Sequence, residues 1–282
     1  ARKCGNRAPR RAADRPSSGA APASARPGKS TAPRYEAGET ITVNSNIKLY
    51  AVVFNRSAEE DLTLSELLQS ASSWKIGNGS SRGYNHIIFV GDSRTNRMQR
   101  TLQNLNSGYY ESNLLRDIDF VYEEGKGLEW LKSQGMNTIL SIAEENYSVL
   151  KPTAVIFNLG VNDPGNMYDY ISYYQEIAES LQKKNCKLFF MSVNPVNSKT
   201  IEYLGKNAIR KEEVIRKFNS VVGSALGRTF EYIDTYSYLM ENGYGTNISG
   251  TGVDLPDDDG LHYTTKTYKR IFKYCLDYLI LH

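Results

Sequence analysis

Three short loops carry side chains that could act together on an ester or similar electrophile. The first reads Gly91-Asp-Ser-Arg-Thr-Asn96. It puts Ser93 just past an apolar run and at the start of a helix-like stretch. Unpaired helix N–H groups and the helix dipole favour negative charge at such a place, and Gly91 permits a tight turn that a side chain would obstruct. Ser93 could equally serve as a plain helix N-cap. The second loop, Asn158-Leu-Gly-Val-Asn-Asp163-Pro-Gly, offers the uncharged N–H donors of Asn162, suited to an oxyanion. Asn-Asp-Pro-Gly is also strong turn chemistry. The third, Asp257-Asp-Asp-Gly-Leu-His-Tyr263, sets Asp259 three residues before His262. At that spacing a carboxylate can fix an imidazole's tautomer and support the imidazolium. The rival reading is an acidic loop with a histidine at a helix cap, where Asp257 and Asp258 stay solvated or hold the loop.

The elements that must position these loops alternate regularly. Apolar runs at 86–90, 118–122, 154–158, 187–193 and 230–233 read as strands. Helical patterns fill 93–105, 128–133, 138–150, 168–184, 208–226 and 265–281. Five strands alternating with helices predict a parallel sheet covered on both faces. Ligands gather at the carboxyl ends of such strands, where the three loops lie. A serine nucleophile needs a base, a group to orient the base, and oxyanion donors, and the sequence supplies one candidate for each main role.

Gly91-Asp92-Ser93, Gly160-Val-Asn162-Asp163 and Asp259-Gly-Leu-His262 also resemble, in order, the first, third and fifth blocks of the SGNH (GDSL-type) hydrolases. The resemblance spans about residues 85–281. It implies a flavodoxin-like three-layer α/β/α sandwich, and ester hydrolysis with no metal and no cofactor. Residue by residue, it implies Ser93 as nucleophile, His262 as base and Asp259 as its orienting group. The oxyanion donors would be the Ser93 N–H, Asn162 and a glycine N–H from the family's second block. That block is atypical here, Glu123-Glu-Gly-Lys-Gly-Leu-Glu-Trp130; Gly127 opens the following helix and is favoured, with Gly125 close behind. Arg94, Asn96, Asp163, Asn166, Asn194 and Pro195 lie near the same edge. They either shape an acyl or sugar pocket or are ordinary solvent-facing polar residues and helix caps.

Composition sets the outer bounds. The chain has 282 residues, 40% apolar and 23% charged, so a sizeable core is available. Three histidines leave little for a metal centre, and three cysteines are too few for a disulfide scaffold. Cys186 and Cys275 fall on predicted core positions as buried thiols. No run of eighteen apolar residues exists, so no spanning helix is expected. No charged-then-apolar leader opens the chain, so any export signal is expected upstream or already removed.

The net charge of +3 divides into +8 over residues 1–34 and −5 over the rest. A basic tail on a mildly acidic body argues against specific nucleic-acid binding. Residues 1–34, rich in Pro and Ala and without aromatic or large aliphatic side chains, read as disordered or as a processing remnant. Residues 35–53 alternate like two short strands and resemble the end of the small β-rich repeat named after Listeria and Bacteroides surface proteins. That resemblance implies an extracellular or cell-surface bacterial protein. Residues 54–84 read as a linker with one short helix, and 85–282 as the hydrolase domain. The expected substrate is an acylated carbohydrate or another small ester, with short, acetyl-type chains. A lysophospholipase or lipase of the same family is the alternative, as is a glycan-binding module with a decayed site, its twenty tyrosines offering stacking surfaces.

Overall fold

Strand β1 (His86–Gly91) is buried at every position, as an unbroken apolar run requires of a strand covered on both faces. The structure, a computed structural model, describes residues 61–77, 83–106, 114–205, 209–246 and 258–282. The segments 1–34 and 35–53, with the predicted tail and hairpin, lie outside the described residues. Contacts between Cα atoms divide the chain at Val52, and every described residue belongs to the second unit, Val52–His282.

Beside β1 run β2 (Ile118–Tyr122), β3 (Thr153–Asn158), β4 (Cys186–Met191) and β5 (Glu231–Ile233). All neighbours are parallel, in the order β2-β1-β3-β4-β5. This is the flavodoxin-like order, whose switch point lies between β1 and β3. Register matters there. Gly91 pairs with Tyr122 on one side and Asn158 on the other, so the loops after β1, β2 and β3 leave the sheet side by side.

The period-2 alternation of each strand divides the core in two. Ile88, Val90, Val155, Phe157, Leu188 and Phe190 face one layer. It is built by α3 (Leu128–Trp130), α4 (Met136–Glu145), α5 (Met167–Gln182) and α7 (Glu212–Leu226). Ile87, Phe89, Ala154, Ile156, Phe189 and Met191 face the other. That layer holds α1 (Leu64–Ser73), α2 (Ser93–Asn106), α8 (Thr235–Asn242) and α9 (Thr265–Leu281). The expected three-layer α/β/α architecture is therefore observed.

Differences from the expectation are local. A π turn at Leu131–Gly135 joins α3 to α4, so the two predicted helices form one continuous element. Gly135, between the two predicted segments, stays in right-handed helical conformation. Two short helices have no counterpart in the predicted pattern. In α6 (Ser198–Tyr203) the Asn197 side chain accepts from the Thr200 N–H, and in α8 Asp234 accepts from the Ser237 N–H. Both start at polar caps, and apolar periodicity gives little sign of them.

Of the stretch 54–84, which reads as a linker with one short helix, residues 61–77 and 83–84 are described, and these pack against the body. Helix α1 opens with a capping box between Thr63 and Glu66. Leu67 and Trp74 are fully buried in the same core as α9. Ser70 Oγ donates to Asp277 at 2.6 Å, and Lys269 Nζ to Asp61 at 2.8 Å. This stretch carries enough apolar and polar partners to dock on α9, which a tether would not do.

Candidate active site

The β1–α2 turn places the serine. Asp92 is the N-cap of α2: its carbonyl accepts from the Asn96 N–H, and its Oδ1 accepts from the Arg94 N–H at 2.9 Å. Capping therefore falls to Asp92, and the Ser93 hydroxyl is released from that duty. Ser93 Oγ instead lies 2.8 Å from His262 Nε2.

The loop before α9 places the histidine. Asp259 Oδ1 accepts from the Leu261 and His262 N–H groups at 2.9 and 2.8 Å, closing a tight turn. Asp259 Oδ2 lies 2.7 Å from His262 Nδ1. An ionised carboxylate can only accept, so Nδ1 carries the proton, and the Nε2 lone pair is left to accept from the Ser93 hydroxyl. Burial pushes the Asp259 carboxyl up, but the His262 ring and the backbone N–H groups outweigh it. It titrates at about 2. Helix α9 is capped by Thr264, so His262 has no capping role. Asp258 holds the same turn through the Gly260 N–H at 2.7 Å, while Asp257 lies outside the described residues.

The β3 loop brings Asn162 across. Its Nδ2 donates to Asp92 Oδ2 at 3.3 Å and to the Lys126 carbonyl at 2.8 Å. One amide thus spans the residue before Ser93 and the residue before Gly127. Its Oδ1 accepts from Arg210 Nη2 at 2.7 Å. The next residue, Asp163, reaches across to the β2 loop. It accepts from the Leu128 N–H at 2.9 Å and from the Tyr170 hydroxyl at 2.7 Å. Gly127 packs directly on that carboxylate: a Cβ there would lie 2.3 Å from Asp163 Oδ2. Gly125, at φ +70°, has open space around it.

Ser93, His262, Asp259 and Asn162 are thus brought to one edge, and Gly127 is tied to it more closely than Gly125. Other predicted edge residues act as scaffold. Arg94 is only 2% exposed. Its guanidinium donates to the Leu261 carbonyl at 3.1 Å and the Asn194 carbonyl at 2.9 Å, and lies 5.1 Å from the centre of the Tyr263 ring. It ties the serine loop to the β4 loop and to the residue before His262. Asn194 accepts from the Thr235 hydroxyl at 2.5 Å. Both side chains are buried and hydrogen-bonded inside the molecule. Arg210 and the buried Asp92 are the site neighbours that sequence reasoning assigned no role. Burial raises the Asp92 carboxyl above its ordinary value, against the pull of Arg94, His262 and Arg210. Cys186 and Cys275 are buried free thiols as predicted; burial pushes Cys186 up to about 11. Among the described residues, no three His, Cys, Asp or Glu side chains gather as a metal ion would need.

A flavodoxin-like sheet with serine, histidine and carboxylate meeting at its carboxyl edge is the architecture of a class of α/β hydrolytic enzymes. The family model for GDSL-like lipase/acylhydrolase matches residues 87–275. The chain belongs to that family. Among curated proteins no relative matches. Solved structures similar to this chain include a GDSL-like lipase from Bacteroides thetaiotaomicron, at 16% identity and TM-score 0.45, covering 69% of this chain and 87% of that one. Another is a putative acylhydrolase from Bacteroides fragilis, at 15% identity and TM-score 0.46, covering 78% and 98%. A third is the psychrotrophic esterase EstA from Pseudoalteromonas, at 19% identity and TM-score 0.42, covering 68% and 95%.

Proposed function

We propose that this acylhydrolase is a serine esterase that removes short, acetyl-type acyl groups from extracellular or cell-wall carbohydrate. The observation that carries the catalytic part is the continuous hydrogen-bonded line from Ser93 Oγ through the His262 ring to Asp259, at 2.8 and 2.7 Å. In this reading Ser93 Oγ attacks the ester carbonyl as its proton passes to His262 Nε2. The tetrahedral intermediate collapses, the C–O bond to the alcohol breaks, and His262 returns the proton to the leaving oxygen. Water then attacks the acyl-serine by the same proton route and releases the acid. Asp259 holds the imidazole tautomer and supports the imidazolium. The Ser93 N–H, the Gly127 N–H and Asn162 Nδ2 are the donors proposed for the oxyanion.

The substrate part rests on sequence: the surface-repeat resemblance of residues 35–53 and a tyrosine-rich body. Among the described residues no helix is long and apolar enough to cross a membrane. Ser93→Ala should abolish turnover of a short-chain aryl ester and labelling by a fluorophosphonate. Asn162→Ala should lower turnover by about 10²–10³-fold in a folded protein. Undiminished hydrolysis by Ser93→Ala would end the catalytic reading. Acetate release from a panel of acetylated cell-wall and plant glycans, compared with octanoyl esters, tests the substrate. A clear preference for long chains would replace it with a lipase-type one.

A further inference from the structure

We infer that Arg210 is a positioning residue for the oxyanion donor Asn162, holding its amide from the side opposite the reacting atoms. The inference rests on the esterase reading above and extends it to a residue outside every motif block. Asn162 Nδ2 bonds to Asp92 and to the Lys126 carbonyl, both acceptors, so these contacts and Arg210 agree on which way the amide faces. They differ in what happens during reaction. An oxyanion can be received only if Nδ2 turns a hydrogen away from Asp92 or Lys126. Among the described residues, the Arg210–Oδ1 bond at 2.7 Å is the contact to the Asn162 side chain that such a turn leaves intact. A cation on Oδ1 also draws electron density from the amide and strengthens its N–H donors as charge develops.

The environment of Arg210 suits this fixed role better than a substrate contact. Its Nε is buried and, among the described residues, makes no hydrogen bond, while its Nη2 is committed to Asn162 Oδ1. Burial, and then the charge of Arg94, lower the guanidinium's affinity for its proton, and the carboxylates of Asp92 and Asp259 work against both. A loose anion-binding arginine would lack such internal partners. Here the guanidinium belongs to the wall behind the oxyanion donors, with its Nη2 spent on Asn162.

The test is a double-mutant cycle on a short aryl ester such as p-nitrophenyl acetate, using the full chain. Arg210→Met should lower kcat by about 10–100-fold, less than loss of the donor itself, with KM within about twofold. Arg210→Lys keeps the charge but not the planar fork, and should recover part of the loss. In an Asn162→Ala background, Arg210→Met should cost less than about twofold, because its target is gone. Equal losses in both backgrounds would mean a merely structural arginine and overturn the inference. A raised KM at unchanged kcat would make Arg210 a substrate contact and overturn it too. If Arg210→Met fails to fold, Arg210→Lys completes the cycle with the same two criteria. Absence of turnover in the unmutated chain would instead defeat the esterase reading itself, and this inference with it.

Discussion

At the scale of single residues, Asp259 has the most constrained task. It takes three N–H donors, two from the backbone and one from the imidazole, and each favours its charged form. Its folded-state value of about 2 lies below the ordinary 3.8. A carboxyl depressed on folding contributes stability that is complete above its unfolded value and is lost as pH falls towards its folded one. The window for this residue therefore runs from about pH 4 down to about pH 2. Melting temperatures of the wild-type chain and Asp259→Asn, measured across pH, should differ by a constant amount above about pH 4. The gap should shrink through the window below. A gap that stays constant to pH 2 would mean that the carboxylate is not held in its charged form. Sequence spacing identified Asp259 and His262 because a three-residue turn is local. It placed Arg94 near the edge without its fixed partners and gave Arg210 no role, because those partners come from loops about a hundred residues and about fifty residues away. Arginine is also rarely buried, so nothing in its type marks a guanidinium at 2% exposure.

At the scale of elements, three loops had to leave the sheet together, and the β1 register achieves it by pairing Gly91 with both Tyr122 and Asn158. The central strands β1 and β3 were legible because burial on both faces leaves a nearly unbroken apolar run. Helix α8 was not, because only Thr235 and Leu239 of it are buried and its start depends on an Asp234 cap. The β2 loop was half legible: both glycines were visible, but the partner that separates them, Asp163, comes from another strand. That difference can be measured. In Gly127→Ala the new methyl meets a carboxylate pinned by Leu128 and Tyr170, which cannot give way without losing both bonds. Turnover of the aryl ester should fall by about a hundredfold as the loop is displaced from Asn162. In Gly125→Ala the methyl meets nothing, and the cost is backbone strain at φ +70°, about 1–2 kcal/mol of stability with turnover retained. The opposite pattern would reassign the oxyanion glycine to Gly125.

At the scale of the molecule, the sheet is the partition between two cores, and the site lies at the end where both layers' loops converge. The side of the sheet that carries α2 is closed by α9 and, against it, α1. Together with Trp74 and Tyr84, α1 extends that core ahead of the first strand, within the stretch whose sequence reads as a linker with one short helix. If 54–84 were a tether, truncating Leu67 would change stability by no more than about 0.5 kcal/mol, like any surface substitution. Because Leu67 is fully buried in the core it shares with α9, Leu67→Ala should cost about 2–5 kcal/mol. Urea unfolding is the measurement, with a lowered midpoint at an unchanged slope if α1 unfolds with the rest as one unit. A separate early transition in Leu67→Ala would mean that α1 melts alone and that the sheet and its three loops are stable without it. Turnover measured well below the midpoint should be unaffected, since α1 packs on α9 and gives no side chain to the Ser93–His262–Asp259 line.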